Sequence, residues 1–211
     1  MTDLRDYNHL IVFGGSFDPP QIAHVVQPRY VMDKLGAQVI LYVPAAISPH
    51  KLDRKPASPE HRLAMLQLSL ADQPHAVILA DELERHAATG QPSYTIDTLE
   101  ALRPRLRPGA RLRLLIGGDQ LRSFDQWKDH VRVVTLAEPV VMVRPPDTRQ
   151  SLLDALPPGL DRTQWEPRLI EIPQIDVSAT EVRQRAQDDR LYDHLVRPAV
   201  AEYIEQHGLY R

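Results

Sequence analysis

The chain has 211 residues, of which 43% are hydrophobic and 25% charged, and its formal net charge is -3. Cysteine is absent, which excludes disulfide scaffolds, thiolate nucleophiles, iron–sulfur clusters and cysteine-ligated metals. The near-neutral charge gives no basis for a general nucleic-acid or membrane-surface binder, and no apolar run approaches the roughly 20 residues that a bilayer span needs.

Strand-like and helix-like segments alternate along the whole chain. The N-terminal residues mix charges of both signs and lack the apolar core of a signal peptide, so we expect a cytoplasmic protein. Apolar, β-branched runs predict strands, while helical periodicity with N-cap and C-cap residues predicts helices. In the first half of the chain we predict strands at 9–13, 39–43 and 76–79, a helix at 22–35, a helix capped by Ser58, and a helix at 94–106 with Pro104 as a candidate early end. In the second half we predict strands at 112–116, 140–143 and 169–172, and helices at 151–156, 179–188 and 198–207.

This order of elements predicts the fold class. Strands that are apolar throughout and are separated by helices indicate a mostly parallel sheet with helices on both faces. We therefore expect a doubly wound α/β fold in a single domain spanning residues 1–211. In such sheets, ligands bind beyond the carboxyl ends of the strands.

The loop after the first strand has the composition of a phosphate-binding turn. Gly14 and Gly15 allow close approach of the backbone to a ligand, and the N-terminus of the next helix favours an anion. His24 lies in the first turn of that helix, within reach of the same anion. Taken alone, two glycines and a histidine favour an ordinary strand-to-helix turn. The loop lacks the GxGxxG spacing of dehydrogenases and the GxxxxGK[ST] spacing of P-loop enzymes.

Six segments, in the same order, resemble the motifs of one family. The segment GGSFDPPQIAH resembles the GG(S/T)FDPxHxGH signature of the nicotinate-nucleotide adenylyltransferases, within the HIGH-motif nucleotidyltransferase superfamily. The other five segments are PAAISPHK at 44–51, SYTIDTL at 93–99, IGGDQL at 116–121 with Trp127 further on, VSATEVR at 177–183, and VAEYIEQHGLY at 200–210. The resemblance implies a Rossmann-like nucleotidyltransferase fold whose helical C-terminal part, from about 175 to 211, carries a second phosphate-binding motif.

The resemblance also implies a reaction. The 5′-phosphate of nicotinate mononucleotide would attack the α-phosphorus of ATP, giving nicotinate adenine dinucleotide and pyrophosphate. A phosphate nucleophile is already ionised at neutral pH, so catalysis can rest on positioning and charge stabilisation. Mg²⁺ would arrive bound to ATP, without a dedicated protein site. We expect these small-molecule partners, no nucleic acid and no membrane, while a homo-oligomer stays open.

Residue roles follow from the same resemblance. His24, Gln21 and Arg183 would act at the reacting phosphates. The residues expected to bind the phosphates of ATP are Gly14, Gly15, Ser16, Phe17, Ser178, Thr180 and Arg183. The residues expected to bind the mononucleotide are Lys51, Tyr94, Thr95, Gly117, Asp119 and Trp127. Structural interpretations stay open beside these: Ser178 and Glu181 have the spacing of a capping box, and an aromatic such as Trp127 also suits a core.

Three positions depart from the family motifs. Gln21 replaces the first histidine of HxGH, Ala23 replaces its glycine, and Ala179 replaces the second serine of ISST. A glutamine amide donates only a neutral hydrogen bond, whereas a histidine can become cationic. We expect a cost of about 1–2 kcal/mol in transition-state stabilisation, which slows the reaction by about tenfold. Pro28, inside a predicted helix, has no explanation in the sequence.

Two other functions stay open at this point. Sister enzymes of the same superfamily transfer adenylyl or cytidylyl groups to phosphopantetheine, glycerol phosphate or nicotinamide mononucleotide. The SYTIDTL segment and Trp127 favour the nicotinate branch, without settling the preference for acid over amide. A nucleotide-binding protein with weakened catalysis, because of Gln21, is the alternative from a different class.

Overall fold

The computed structural model describes residues 3–46 and 56–211. In these ranges the strands are β1 (His9–Gly15), β2 (Val39–Pro44), β3 (Ala76–Ile78), β4 (Arg111–Gly117), β5 (Glu138–Val143) and β6 (Leu169–Glu171). The α-helices are α1 (Ile22–Leu35), α2 (Pro59–Leu70), α3 (Asp81–Thr89), α4 (Thr95–Leu102), α5 (Gly118–Arg122), α6 (His130–Leu136), α7 (Arg149–Asp154), α8 (Arg162–Trp165), α9 (Ala179–Gln187) and α10 (Pro198–Gln206).

The described strands form one sheet in the order β3-β2-β1-β4-β5-β6. β1 pairs with β4, β4 with β5, and β5 with β6, all in parallel. This order is that of a doubly wound α/β fold. Every residue of β2 is buried, as expected for a strand covered on both faces. The predicted fold class is confirmed.

Two compact units make up the chain, each assembled from three stretches of sequence. The first unit contains Met1–Gly14, Arg29–Leu41 and Tyr94–Gln174, and the second contains Gly15–Pro28, Tyr42–Ser93 and Ile175–Arg211. In the second unit, one hydrophobic core joins α2, α9, α10 and the residues between the last two helices. The buried members of this core are Met65, Val182, Ala186, Tyr192, Val196, Val200, Ala201 and Ile204. The single domain expected from the sequence stays a prediction.

The longer elements lie where the sequence places them, with ends that shift by at most two residues except in the helix expected at 94–106. Ser58 caps α2 through a bond from His61 N to its Oγ, and Pro59 occupies the first turn. The helix expected at 94–106 ends at Leu102, because Pro104 lies in a following 3₁₀ turn. Pro28 lies inside α1 without ending the helix. No helix of the described ranges has the length and apolar character needed to cross a membrane.

Candidate active site

The loop between β1 and α1 has an unusual backbone, and all of its residues from Gly15 onward belong to the second unit. Phe17 is a non-glycine residue with φ of 46°, in the left-handed region, and its side chain is 1% exposed. A Cβ at Gly15 would lie 3.0 Å from Cζ of Phe17, so the ring packs directly on the Gly15 backbone. A glycine is therefore required at position 15 by the close approach of the Phe17 ring, and not only by a ligand. Gly14, the residue before it, is an exposed residue of β1 in the first unit.

His24 lies in the first turn of α1 and is oriented by three contacts. Its Nδ1 accepts a hydrogen bond from the Gln21 backbone N–H at 3.1 Å, and its ring meets the Phe17 ring edge-on with centroids 5.2 Å apart. Tyr42 donates its hydroxyl to the His24 carbonyl at 3.1 Å. Because Nδ1 accepts, the proton of the neutral imidazole lies on Nε2. His24 can thus donate a hydrogen bond through Nε2, and the oxygens of a phosphate need such a donor.

Gln21 has a structural role that the sequence interpretation missed. The residue is 4% exposed, its Oε1 accepts from Ala23 N at 2.6 Å, and its Nε2 donates to the Val177 carbonyl at 3.4 Å. The side chain therefore caps the N-terminus of α1 and ties it to the segment before α9. An Asx-like cap of this kind is hard to foresee from a glutamine, a residue type that is not a preferred N-cap.

The start of α9 carries the second motif. Ser178 is the N-cap of α9, its Oγ accepting from Glu181 N at 3.1 Å, while the Glu181 carboxylate accepts from Arg185 Nε at 2.9 Å. Arg183 donates through Nη1 to the Asp18 carbonyl at 2.6 Å and through Nη2 to Thr180 Oγ1 at 3.1 Å. The structure thus brings the two segments predicted to bind phosphate into contact. α9 directs its N–H groups and the Arg183 guanidinium toward the same end of the helix.

Behind this loop lies a buried polar network that the sequence interpretation did not assign. Asp18 Oδ1 accepts from the Tyr210 hydroxyl at 2.7 Å and from Ala57 N at 3.2 Å. Burial, and then the Asp18 carboxylate, raise the pKa of the Tyr210 hydroxyl far above its ordinary value, so Tyr210 stays a donor. Asp18 and Tyr210 are 192 positions apart, and no local pattern could have paired them.

Arg62 completes this network from the buried face of α2. Its guanidinium donates to four backbone carbonyls. The bonds run from Nε to Ala57 at 3.2 Å, from Nη1 to Ser16 at 2.9 Å and to Ala45 at 2.6 Å, and from Nη2 to Ala46 at 3.0 Å. The sequence did carry a signal: Arg62 shares a helical stripe with buried Met65, Leu66 and Ser69.

Five of the six residues expected to hold the mononucleotide lie in the first unit. A Cβ at Gly117 would lie 2.6 Å from Asp119 Oδ1, so the carboxylate folds over a backbone that only glycine allows. Trp127 is half-buried, with its ring 5.2 Å from the Phe124 ring at a 38° tilt. One side of the indole is thus packed while part of the ring is accessible, which suits a platform as well as a core residue.

Tyr94 and Thr95 stand at the start of α4 in the same unit. Tyr94 is 40% exposed, and Nζ of Lys128 lies 4.6 Å from the centre of its ring. The Lys128 ammonium also donates to Asp97 Oδ1 at 3.0 Å. Lys51, the remaining expected ligand, lies outside the described residues. Within residues 3–46 and 56–211 no three histidine, aspartate or glutamate side chains are close enough to hold a metal ion.

Comparison with known proteins gives a consistent match. A family model described as cytidylyltransferase-like matches residues 12–185. The chain is 36% identical over 215 residues to a Chromobacterium violaceum protein named "Probable nicotinate-nucleotide adenylyltransferase", with 95% of this chain and 97% of that protein covered. A Thermomicrobium roseum protein of the same name is 34% identical over 206 residues, covering 97% of this chain and 92% of that protein.

Solved structures agree with the fold. A Plasmodium falciparum nicotinic acid mononucleotide adenylyltransferase complexed with NaAD has a TM-score of 0.67 and 21% identity, and the match covers 97% of this chain and 98% of that chain. The complex of the same enzyme with APC matches with the same TM-score. These likenesses support the doubly wound nucleotidyltransferase fold.

Proposed function

The chain belongs to the cytidylyltransferase-like family and, within it, to the nicotinate-nucleotide adenylyltransferases, and from this membership we propose its reaction and the roles of its residues. The protein transfers the adenylyl group of ATP to nicotinate mononucleotide in NAD biosynthesis. The strongest structural support is the hydrogen bond from Arg183 to the Asp18 carbonyl, because it joins the two proposed phosphate-binding segments within one unit.

The reaction is a displacement at phosphorus. An oxygen of the mononucleotide 5′-phosphate forms a bond to the α-phosphorus of ATP, and the bond from that phosphorus to the bridging oxygen of the β-phosphate breaks. The electron pair of the broken bond leaves with pyrophosphate. Because the nucleophile is an anion, no proton has to be removed from it, and the protein must chiefly stabilise charge on the leaving group.

The loop after β1 and the start of α9 supply that stabilisation in the proposal. His24 donates from Nε2 to an oxygen at the reacting phosphorus, consistent with its acceptor bond at Nδ1. The amides after Gly15, the hydroxyls of Ser16, Ser178 and Thr180, and the guanidinium of Arg183 bind the β- and γ-phosphates. These charge-assisted hydrogen bonds strengthen as negative charge moves onto pyrophosphate. Gln21 supports the same helix end as a cap.

The mononucleotide side of the proposal rests on the first unit. Gly117 and Asp119 hold a ribose, Trp127 stacks on the pyridine ring, and the amides at Tyr94 and Thr95 receive the nicotinate carboxylate. Lys51 contributes a cation for the mononucleotide phosphate. Magnesium enters as the chelate of ATP and leaves with pyrophosphate, so we treat it as part of the substrate. A cytoplasmic location stays a prediction, and the oligomeric state stays open.

One assay panel tests the function. Magnesium-ATP is incubated with nicotinate mononucleotide, nicotinamide mononucleotide or phosphopantetheine, and pyrophosphate release is followed. We expect the fastest release with nicotinate mononucleotide, with the dinucleotide identified by chromatography. A His24→Ala protein purified in parallel reports any contaminating activity. ATP binding without pyrophosphate release from any acceptor would instead support a nucleotide-binding protein.

A further inference from the structure

Arg62 is a charged side chain enclosed by the protein, which is rare without a close counterion. It is 2% exposed, and its four hydrogen bonds go to the backbone carbonyls of Ser16, Ala45, Ala46 and Ala57. All these residues belong to the second unit. A buried cation is costly, and an apolar side chain would fill the same space at a lower cost. Filling the core therefore does not explain why this residue is an arginine.

Arg62 is a cation held by backbone carbonyl dipoles, with the carboxylates of Asp18 and Glu60 near enough to stabilise its charge. Burial lowers the pKa of the guanidinium, and the Asp18 carboxylate, which is itself buried, acts in the opposite direction. An arginine stays protonated in proteins, and its planar head offers five N–H donors. Lysine has the same charge without the planar fork, so it cannot reach carbonyls from three separate turns with the same geometry.

Three of the four partners of Arg62 lie in the turns that follow two adjacent strands of the sheet. Ser16 follows β1, while Ala45 and Ala46 follow β2, and the Ala45 N–H donates to the Gly15 carbonyl at 2.9 Å. Ala46 and Ala57 flank the segment 47–55 on its two sides. One guanidinium therefore fixes the ends of several chain segments at the carboxyl edge of the sheet, where ligands of this fold class bind.

The bond to Ser16 determines how the phosphate loop presents its backbone. The C=O and N–H of a trans peptide point in opposite directions, so a Ser16 carbonyl turned toward Arg62 directs the Phe17 N–H away from it. The torsion that follows this peptide along the chain is φ of Phe17, which is left-handed. With this φ, the Phe17 ring packs on the Gly15 backbone and against the His24 ring. A conformation of this kind persists only where the surroundings over-determine it.

We propose that Arg62 is a positioning residue for adenylyl transfer: through the Ser16 carbonyl it sets the direction of the Phe17 amide and the seat of the Phe17 ring on which His24 rests. The inference depends on the proposed function for its catalytic consequence. Arg62 itself touches no substrate. Its effect on the reaction passes through the loop and through His24.

The test compares Arg62→Lys with a matched control, Arg103→Lys. Arg103 also clamps backbone, donating from Nε to the Leu136 carbonyl at 2.8 Å and from Nη1 to the Ala110 carbonyl at 3.0 Å, but in the first unit and away from the phosphate loop. Both variants are assayed for kcat, KM and melting temperature, at a temperature where circular dichroism shows them folded. We expect Arg62→Lys to lower kcat by about 10- to 100-fold, and Arg103→Lys to leave kcat within about twofold, since misplacement of a catalytic group by 1 Å costs on the order of 100-fold.

A double-mutant cycle separates positioning from a general loss of stability. If Arg62 acts through His24, the Arg62→Lys change should lower kcat much less in a His24→Ala background than in the wild-type background. Full additivity of the two effects, or an Arg62→Lys protein with wild-type kcat and only a lower melting temperature, would overturn the proposal.

A measurement on the wild-type protein keeps the proposal testable if Arg62→Lys does not fold. In ¹⁵N-labelled protein, saturation with magnesium pyrophosphate should shift the Phe17 amide and the Arg62 Nε–H resonances together. A Phe17 amide that does not respond contradicts the inference. This readout needs no acceptor nucleotide. A response without adenylyl transfer to nicotinate mononucleotide would therefore reject the proposed function, while the positioning of the loop after β1 by Arg62 would still hold.

Discussion

At the scale of single residues, the donor geometry of His24 makes the most direct prediction. We expect His24→Ala to lower kcat by at least about 100-fold, because one preorganised donor at a developing negative charge is worth about 3 kcal/mol or more. Pyrophosphate release measures the change. His75→Ala is the matched control, since His75 is an exposed histidine of the same unit, and its kcat should be that of wild type. Equal rates for His24→Ala and wild type would remove His24 from the mechanism.

Gln21 allows a test in the opposite direction. In Gln21→His, the imidazole can accept from Ala23 N through one nitrogen and donate through the other, so the cap is kept while a stronger donor to phosphate is gained. We expect kcat to rise, by up to about tenfold for about 1.4 kcal/mol. Gln21→Met, which has a similar length and no hydrogen-bonding group, should lose the cap and lower the melting temperature. A Gln21→His protein with unchanged kcat would show that this position does not limit the rate.

The site residues that could be proposed from the sequence are those carried by local motifs. His24 and Ser178 each sit at a helix start, where side-chain type and position already dictate a hydrogen-bonding role. Arg62 was missed because an arginine in a helix is ordinarily solvated, although its place in a buried stripe was visible. The pairing of Asp18 with Tyr210 could not be found, since it depends on tertiary contacts between distant parts of the chain.

At the scale of elements, the start of α9 combines capping with proposed phosphate binding, and the two can be separated. Ser178→Ala should lower the free energy of unfolding by about 1 kcal/mol through loss of the N-cap. Thr148→Ala is the control, because Thr148 caps α7 in the same way, with Ser151 N donating to its Oγ1 at 3.0 Å. Denaturant unfolding should give similar losses for the two variants.

Only Ser178→Ala should raise the KM for magnesium-ATP, by several-fold, because Ser178 is exposed at the proposed phosphate site. Kinetics at saturating nicotinate mononucleotide measure this difference. Unchanged KM values in both variants would leave Ser178 as a cap alone.

The elements that were missed share a physical reason. α3 has the sequence DELERHAAT, in which Leu83 is the only large apolar residue, so it offers little of the apolar stripe from which a helix is predicted. α5, α6 and α8 have only five, seven and four residues, which is less than the pattern of a helix needs. These helices are stabilised by their place in the fold more than by their own sequence. Long, apolar and well-capped elements such as α1 and α2 were predictable because local and tertiary preferences agree.

At the scale of the whole molecule, alternation of strands and helices was enough to predict a parallel sheet, but not the order of its strands. The order depends on which side of β1 each crossover returns to, and no residue pattern in the segments encodes that choice. The assembly of each compact unit from three separate stretches was equally hidden. Those contacts join positions far apart in the chain, so only packing of the complete fold defines them.

The stability of the whole molecule should depend on pH through His9, the first residue of β1. Its side chain is buried, and Nε2 accepts a hydrogen bond from Arg113 Nε at 3.2 Å, which requires the neutral ring. Burial, and then the charges of Arg113 and Arg111, lower the pKa of His9 from its ordinary 6.5. The unfolded chain therefore binds a proton at a pH where the folded chain does not. It follows that the free energy of unfolding falls as the pH drops below about 6.5 toward the folded-state pKa.

His9→Gln isolates this contribution, because the glutamine carbonyl can still accept from Arg113 but does not titrate. We expect the loss of unfolding free energy between pH 7.5 and pH 5.5, measured by urea denaturation, to be smaller in His9→Gln than in wild type. Comparing the two proteins cancels the titration of the other histidines and of the carboxylates, which they share. Equal losses in the two proteins would mean that His9 is protonated as readily in the folded chain as in the unfolded chain, and that the Arg113 bond does not hold the ring neutral.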